Sequence, residues 1–195
     1  MKTQRDTPKW LADKIAMLAV SNRPLKTMLT HILEPSAGTG ILIDSYLHFC
    51  LNKYTVKTTC IELNKEKCEI LKTKYTEADV IHGNFLAEKM TKSFDVIIAA
   101  PPFINNSDVL HIAKMYSLLN QGGVIVTLTT PFWTVNNEIH QVEFRKFLEG
   151  VEYKMEMLPD NTFIEKGKTV PTAILVITKP YPAKDKNVFN MDEDF

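Results

Sequence analysis

The stretch Leu33-Glu34-Pro35-Ser36-Ala37-Gly38-Thr39-Gly40 combines an acid with two glycines at a spacing that suits ligand binding. His31, Ile32 and Leu33 close an apolar run, and Ile41, Leu42 and Ile43 open a segment with helical patterning. A strand that turns into a helix through Gly-x-Gly brings backbone N–H groups and a helix N-terminus to one point. Gly38 and Gly40 permit positive φ and a close backbone approach. Glu34, ending the strand, is expected to project into the same crevice. Further along, Glu62-Leu63 closes a second apolar run, Asn84-Phe85 follows a third, and Ala100-Pro101-Pro102-Phe103 follows a fourth. An acid at the second strand end can accept both hydroxyls of a ribose. Asn84 can hydrogen-bond an adenine edge while Phe85 packs on its ring. Taken singly, Glu62 reads as a solvated acid and Phe85 as core. In order on successive strand ends, they read as one cofactor site, because ligands bind at that edge of an open α/β sheet.

The elements that must carry these residues alternate. Thr7 is expected to cap a first helix with Pro8 in its first turn, and Trp10, Leu11, Ile15, Leu18 and Ala19 form its apolar face. Strands are expected at Met28 to Leu33, Val56 to Leu63, Val80 to Phe85 and Phe94 to Ala99, the last of these buried on both faces apart from Asp95. Helices are expected at Ile41 to Cys50, Lys65 to Lys74, Asp108 to Leu119 and Glu138 to Leu148. Gly122-Gly123 reads as a helix stop before a fifth strand, Val124 to Thr129. Tyr153 to Leu158 and Thr172 to Thr178 complete the set, with a loop between them. The alternation predicts an α/β fold with a mainly parallel sheet and an antiparallel hairpin at one edge.

With 195 residues, 45% hydrophobic and 24% charged, the chain is expected to form one domain over 1–179, with an N-terminal helical segment at 1–20. The acidic tail, 180–195, is expected to be loosely ordered. Formal net charge is zero, which excludes an overall field drawing the protein to nucleic acid or membrane. Cys50, Cys60 and Cys68 lack metal-ligand spacing and read as reduced thiols. No apolar run is long enough to cross a bilayer, so a cytoplasmic location is expected.

The glycine turn lacks the Lys-Ser/Thr pair of a P-loop and the third glycine of a dinucleotide fingerprint. Glu34 would repel a pyrophosphate and would suit a cofactor carrying a positive amine or sulfonium, which points to S-adenosylmethionine. From Thr7 to about Lys179 the chain resembles the class I S-adenosylmethionine-dependent methyltransferases, and within them the adenine-N6 DNA methyltransferases. The resemblance implies a Rossmann-like seven-stranded fold. It implies cofactor contacts from Thr7, Trp10, Glu34, Ser36, Ala37, Gly38, Gly40, Glu62, Leu63, Asn84 and Phe85, with Asn84 standing where the family usually has Asp. No metal site is expected, since His31, His48, His82, His111 and His140 share no ligand spacing and read as structural or surface residues.

The family's catalytic motif is Asn/Asp-Pro-Pro-Tyr/Phe, and here it reads Ala100-Pro101-Pro102-Phe103. The resemblance implies that a flipped adenine stacks on Phe103 and that the Pro101 carbonyl accepts one amino hydrogen. Ala100 removes the second acceptor. An amino hydrogen left unpaired in a dry pocket costs about 1 to 3 kcal/mol, a slowing of about tenfold to a few hundredfold if the loss falls on the transition state. Three readings of Ala100 stand side by side. It is an engineered lesion, or it is native with Asn105 or Asn106 supplying the acceptor, or it marks a domain that binds the cofactor without methylating.

The substrate implied by the resemblance is nucleic acid, DNA ahead of RNA, with a protein glutamine as an alternative. A monomer or weak homo-oligomer is expected, with room for a specificity partner and no membrane association. Phe132 and Trp133 can stack a base or fill the core, and Lys166 and Lys168 can meet phosphates or solvent. A basic face of Lys9, Lys14, Arg23 and Lys26 would favour nucleic acid over a peptide.

Overall fold

The computed structural model describes residues 7–24, 29–104, 107–165 and 167–181. Seven strands form one sheet in the order β3-β2-β1-β4-β5-β9-β6. They are β1 (Thr30–Glu34), β2 (Val56–Glu62), β3 (Asp79–His82), β4 (Phe94–Ala99), β5 (Leu119–Thr129), β6 (Glu152–Met157) and β9 (Ala173–Thr178). Strands β1 to β5 pair in parallel, and β9 runs antiparallel to both β5 and β6. The expected edge hairpin is therefore present, but its second strand lies inside the sheet and β6 takes the edge. The loop expected between them contains a two-stranded ribbon, β7 (Ile164–Glu165) and β8 (Lys168–Thr169).

Period-two alternation assigns the core residues to two layers. Ile32, Val96 and Ile98 face a cluster that includes Leu11, Ile15, Leu42, Tyr46 and Leu71. These last five come from α1 (Lys9–Asn22), α2 (Ile41–Phe49) and α3 (Lys65–Lys74). Leu33, Ile97 and Ile125 face the opposite cluster, with Ile112, Met115, Phe144 and Leu148 from α4 (Ser107–Ser117) and α5 (Ile139–Glu149). Every residue of β4 is buried. Its one charge, Asp95, accepts from the His31 N–H at 2.8 Å and from Asn120 Nδ2 at 2.8 Å. It thereby ties β4 to the start of β1 and β5, instead of interrupting the strand.

Several local expectations change. Pro8, not Thr7, occupies the cap position of α1, and no side chain caps that helix. Trp10 is 51% exposed; Leu11, Ala12, Ile15, Ala16 and Ala19 form the buried face. Gly122-Gly123 lies inside β5 and does not stop α4, which ends at Ser117. Gly122 has φ +78°, and a Cβ at Gly123 would stand 2.9 Å from the Asp95 carbonyl oxygen, so the irregular β4–β5 pairing there needs both glycines. Met28, Lys26 and the tail from Pro182 onward lie outside the described residues.

Candidate active site

The carboxyl ends of β1 to β4 meet at the point where the strand order reverses between β1 and β4. There, a cavity of about 690 Å³ opens, a size suited to a small-molecule ligand. Thr7, Ser36, Glu62, Leu63, Asn84, Phe85, Ala100, Pro101, Pro102 and Phe103 all line it, so five separate stretches of sequence converge there.

The turn after β1 is closed by Gly40 N–H donating to the Ala37 carbonyl at 2.8 Å, and Ala37 N–H donates to the Ile61 carbonyl at 3.0 Å. Glu62 holds the turn from the side. Its Oε2 accepts from Gly38 N–H at 2.7 Å and its Oε1 from Asn64 N–H at 2.8 Å. Two backbone donors thus fix the carboxylate at the cavity wall, and each oxygen keeps a second lone pair for a ligand. At Gly38, φ is +56° and nothing lies within 4 Å of the place a Cβ would occupy. The turn presents bare backbone to open space.

The other members of the turn are placed differently from expectation. Trp10, Glu34, Ala37, Gly38 and Gly40 do not line the cavity; Gly38 bears on it only through its N–H, which donates to Glu62 of the wall. Gly40 is buried beneath Tyr75, whose hydroxyl donates within 2.7 Å of the Gly40 carbonyl and of Asp44 Oδ1. Its φ of +84° and a 2.6 Å approach to that ring are what exclude a side chain. Glu34 is only 1% exposed, and its Oε2 is buried without a hydrogen-bond partner. Burial pushes its carboxyl well above the ordinary range, with the Ile43 backbone acting in the opposite sense. It sits under the turn and not in the crevice, so it offers no charge to a ligand's amine.

Asn84 is committed in part to its own loop: its Oδ1 accepts from Leu86 N–H at 3.0 Å. Phe85 is buried, and Lys114 of α4 reaches under it. The Lys114 ammonium lies 4.8 Å from the ring centroid and donates to the Phe85 carbonyl and, at 2.6 Å, to the Glu88 carbonyl. Ser107 and His111, also from α4, line the cavity as well. Ser107 Oγ donates to the Pro102 carbonyl at 2.6 Å, and the His111 ring lies 5.5 Å from that of Phe85. Sequence patterning gave no reason to choose His111 from five histidines. A histidine at helical spacing from Ser107, directly after the Pro-Pro-Phe motif, was the available signal.

On the far side of the motif, Phe163 stands edge-on to Phe103, with centroids 6.1 Å apart and planes at 86°, and Ile164 and Val170 extend the wall. Trp133 is core, packed edge-on against Phe144 at 5.2 Å, while Phe132 is partly exposed; neither lines the cavity. Lys168 is exposed and away from it. Asn105, Asn106 and Lys166 lie outside the described residues. Of the expected basic face, Lys9 pairs with Asp13 and Lys14 with Glu156, while Arg23 keeps its charge and donates to Cys50 Sγ at 3.2 Å. Among the described residues no group of three His, Cys, Asp or Glu could hold a metal, and no helix is long and apolar enough to cross a membrane.

No protein-family model matches the chain. Over 129 residues it is 31% identical to an uncharacterized methyltransferase of Alkaliphilus oremlandii, an alignment covering 65% of this chain and 50% of that protein. The structure matches the type I restriction-modification methyltransferase subunit of Streptococcus thermophilus with a TM-score of 0.77, at 17% identity, over 89% of this chain and 44% of the other. A protein from Listeria monocytogenes assigned to the class I S-adenosylmethionine-dependent methyltransferases matches with a TM-score of 0.73, at 17% identity, over 96% of this chain and 63% of the other. The fold is that of the class I methyltransferases. The chain spans about half the length of the curated relative it matches.

Proposed function

We propose that the chain is an S-adenosylmethionine-dependent methyltransferase acting on an exocyclic amino group, that of adenine N6 in nucleic acid, DNA first. One observation carries the reading. The Ala100-Pro101-Pro102-Phe103 segment lines the same cavity as the fixed Glu62 carboxylate and the Asn84-Phe85 pair. The residues fit the cofactor: Gly38 leaves room for close approach to backbone, Glu62 suits a ribose diol, and Phe85 suits a purine face. When bound, that cofactor supplies an electrophilic methyl group on a sulfonium.

The chain's own contribution is orientation. Phe103, braced edge-on by Phe163, offers a flat face for a flipped base. The Pro101 carbonyl accepts one amino hydrogen and so aims the nitrogen lone pair. Ser107 Oγ occupies the neighbouring Pro102 carbonyl and holds the motif's backbone in place. The type I restriction-modification neighbour supports nucleic acid as the substrate and leaves room for a partner that confers specificity.

Ala100 favours a second reading, a domain that binds the cofactor without transferring its methyl group. Titration calorimetry with S-adenosylmethionine, on the wild type and on Gly38→Trp, tests the site: binding by the first and none by the second is expected. Label transfer from radioactive cofactor to DNA, comparing wild type with Ala100→Asn, tests the chemistry. A gain of about tenfold or more in the variant is expected from restoring the missing acceptor. Cofactor binding with no label transfer by either form, to DNA or to RNA, would leave the binding-module reading in its place.

A further inference from the structure

The cavity wall beside Phe85 contains a hydrogen-bonding group that the reading above does not use. His111 is 5% exposed, stands on the second turn of α4 and lines the cavity. Its Nδ1 lies 2.7 Å from the Ser107 carbonyl. A carbonyl only accepts, so Nδ1 carries the proton, and in the neutral ring Nε2 is then an acceptor. The ring's position is set twice, by that hydrogen bond and by its tilted contact with Phe85, at 5.5 Å between centroids and 36° between planes. A purine packed against Phe85 has its edge groups within this same wall. The residue best suited by sequence to accept from an amino group there, Asn84, spends one lone pair of its oxygen on Leu86 N–H, which fixes that oxygen to its own loop and leaves the amine's second hydrogen for another acceptor.

We propose that His111 is a specificity-determining residue of the cofactor site, its Nε2 accepting a hydrogen from the exocyclic amine of the adenine. This rests on the reading of the cavity as an S-adenosylmethionine site. The physical basis is complementarity of donor and acceptor. A 6-amino purine donates at that edge, whereas its 6-oxo counterpart presents a second acceptor, and two facing acceptors repel. The charged groups around the ring are Asp108 and Lys114 on α4, with opposite effects on its proton affinity, and burial holds the imidazole below its ordinary value. The loop after β3 contributes the uncharged Phe85, and its Glu88 carbonyl engages Lys114. The neutral ring is thus the form that the fold maintains.

The test is calorimetric binding of S-adenosylhomocysteine and S-inosylhomocysteine to the full chain, wild type, His111→Phe and His111→Gln, with melting curves confirming that each variant is folded. The wild type is expected to prefer the adenosine compound by about tenfold or more. His111→Phe keeps a ring but no acceptor and should lose most of that preference. His111→Gln, which keeps an acceptor and a similar size, should retain much of it. Lowering the pH below the ordinary histidine value of 6.5 should erode the preference in the wild type and not in His111→Gln, because the imidazolium only donates. Undiminished preference in a folded His111→Phe would overturn this assignment alone. No binding of either compound by the wild type would overturn the cofactor reading and this assignment with it.

Discussion

Gly38 and Gly40 share one turn and a left-handed backbone, yet a side chain would meet different surroundings at each. At Gly40 an added Cβ would stand 2.6 Å from the Tyr75 ring and hydroxyl. That ring cannot swing away without losing its bonds to the Gly40 carbonyl and to Asp44. Left-handed strain and overlap together should make Gly40→Ala cost about 3 kcal/mol, or about 6 to 12 °C in Tm. At Gly38 the space is open, and Gly38→Ala should cost only about 1 kcal/mol, the strain alone. Its N–H holds Glu62 of the cavity wall, and straining that turn disturbs the carboxylate, so its S-adenosylmethionine affinity should fall further than that of Gly40→Ala. Paired thermal melts and calorimetry separate the two losses. Equal stability costs at both positions would contradict the placement of Tyr75.

At the scale of elements, α4 positions the site more than any other helix. Ser107 holds the Pro102 carbonyl, His111 and Lys114 frame Phe85, and Asp108 ties the helix start to the end of β5. Asp108 is fully buried; its Oδ2 accepts from Thr129 Oγ1 at 3.0 Å, Thr130 N–H at 2.8 Å and Thr130 Oγ1 at 3.1 Å. Its place in the first turn also sets the carboxylate against the positive end of the helix dipole. Because Ala100 to Phe103 lie in the connection between β4 and α4, this latch fixes one end of the path they follow. Asp108→Ala strands the Thr130 N–H and hydroxyl and leaves Thr129 Oγ1 only the Thr130 carbonyl at 3.3 Å, and should cost about 2 to 4 kcal/mol in urea denaturation. Asp108→Asn keeps an oxygen in place and should cost distinctly less.

For the whole molecule, burial of ionisable groups makes stability depend on pH in a calculable direction. Glu34 has its carboxyl raised by burial, so the native state keeps a proton that the unfolded chain has released. Its contribution is full below the ordinary value of 4.5 and is lost as pH rises through the folded value. His111 acts at the other end. Its folded value is lowered, so the unfolded chain takes up protons first and stability falls as pH drops below 6.5. Glu34→Gln imitates the protonated acid and should melt higher than the wild type near about pH 8, with the gap closing toward about pH 4. A constant gap across that range would place the charge elsewhere. The net charge of zero and the pairing of Lys9 and Lys14 provide no broad positive field, so under the proposed reading a nucleic acid would be held at the rim of the cavity.

Local patterning in the chain determined the elements, because turns, strand alternation and helix faces depend on neighbours a few residues away. The buried run Phe94–Ala99, the helix Lys65–Lys74 and the Gly-x-Gly turn were all legible in this way. The order of the four strand-end motifs also determined the site, since a parallel sheet brings every carboxyl end to one edge. Only tertiary structure decided which of those residues reach the cavity. Glu34 lies within the core, Gly40 lies under Tyr75, the residue that follows α3, and Trp10 is exposed off the cavity, because packing between segments distant in sequence sets the depth of each side chain. The same packing placed β9 between β5 and β6, turned Asp95 from an apparent interruption into a tie, made Asp108 the latch between α4 and β5, and brought His111 to the wall beside Phe85.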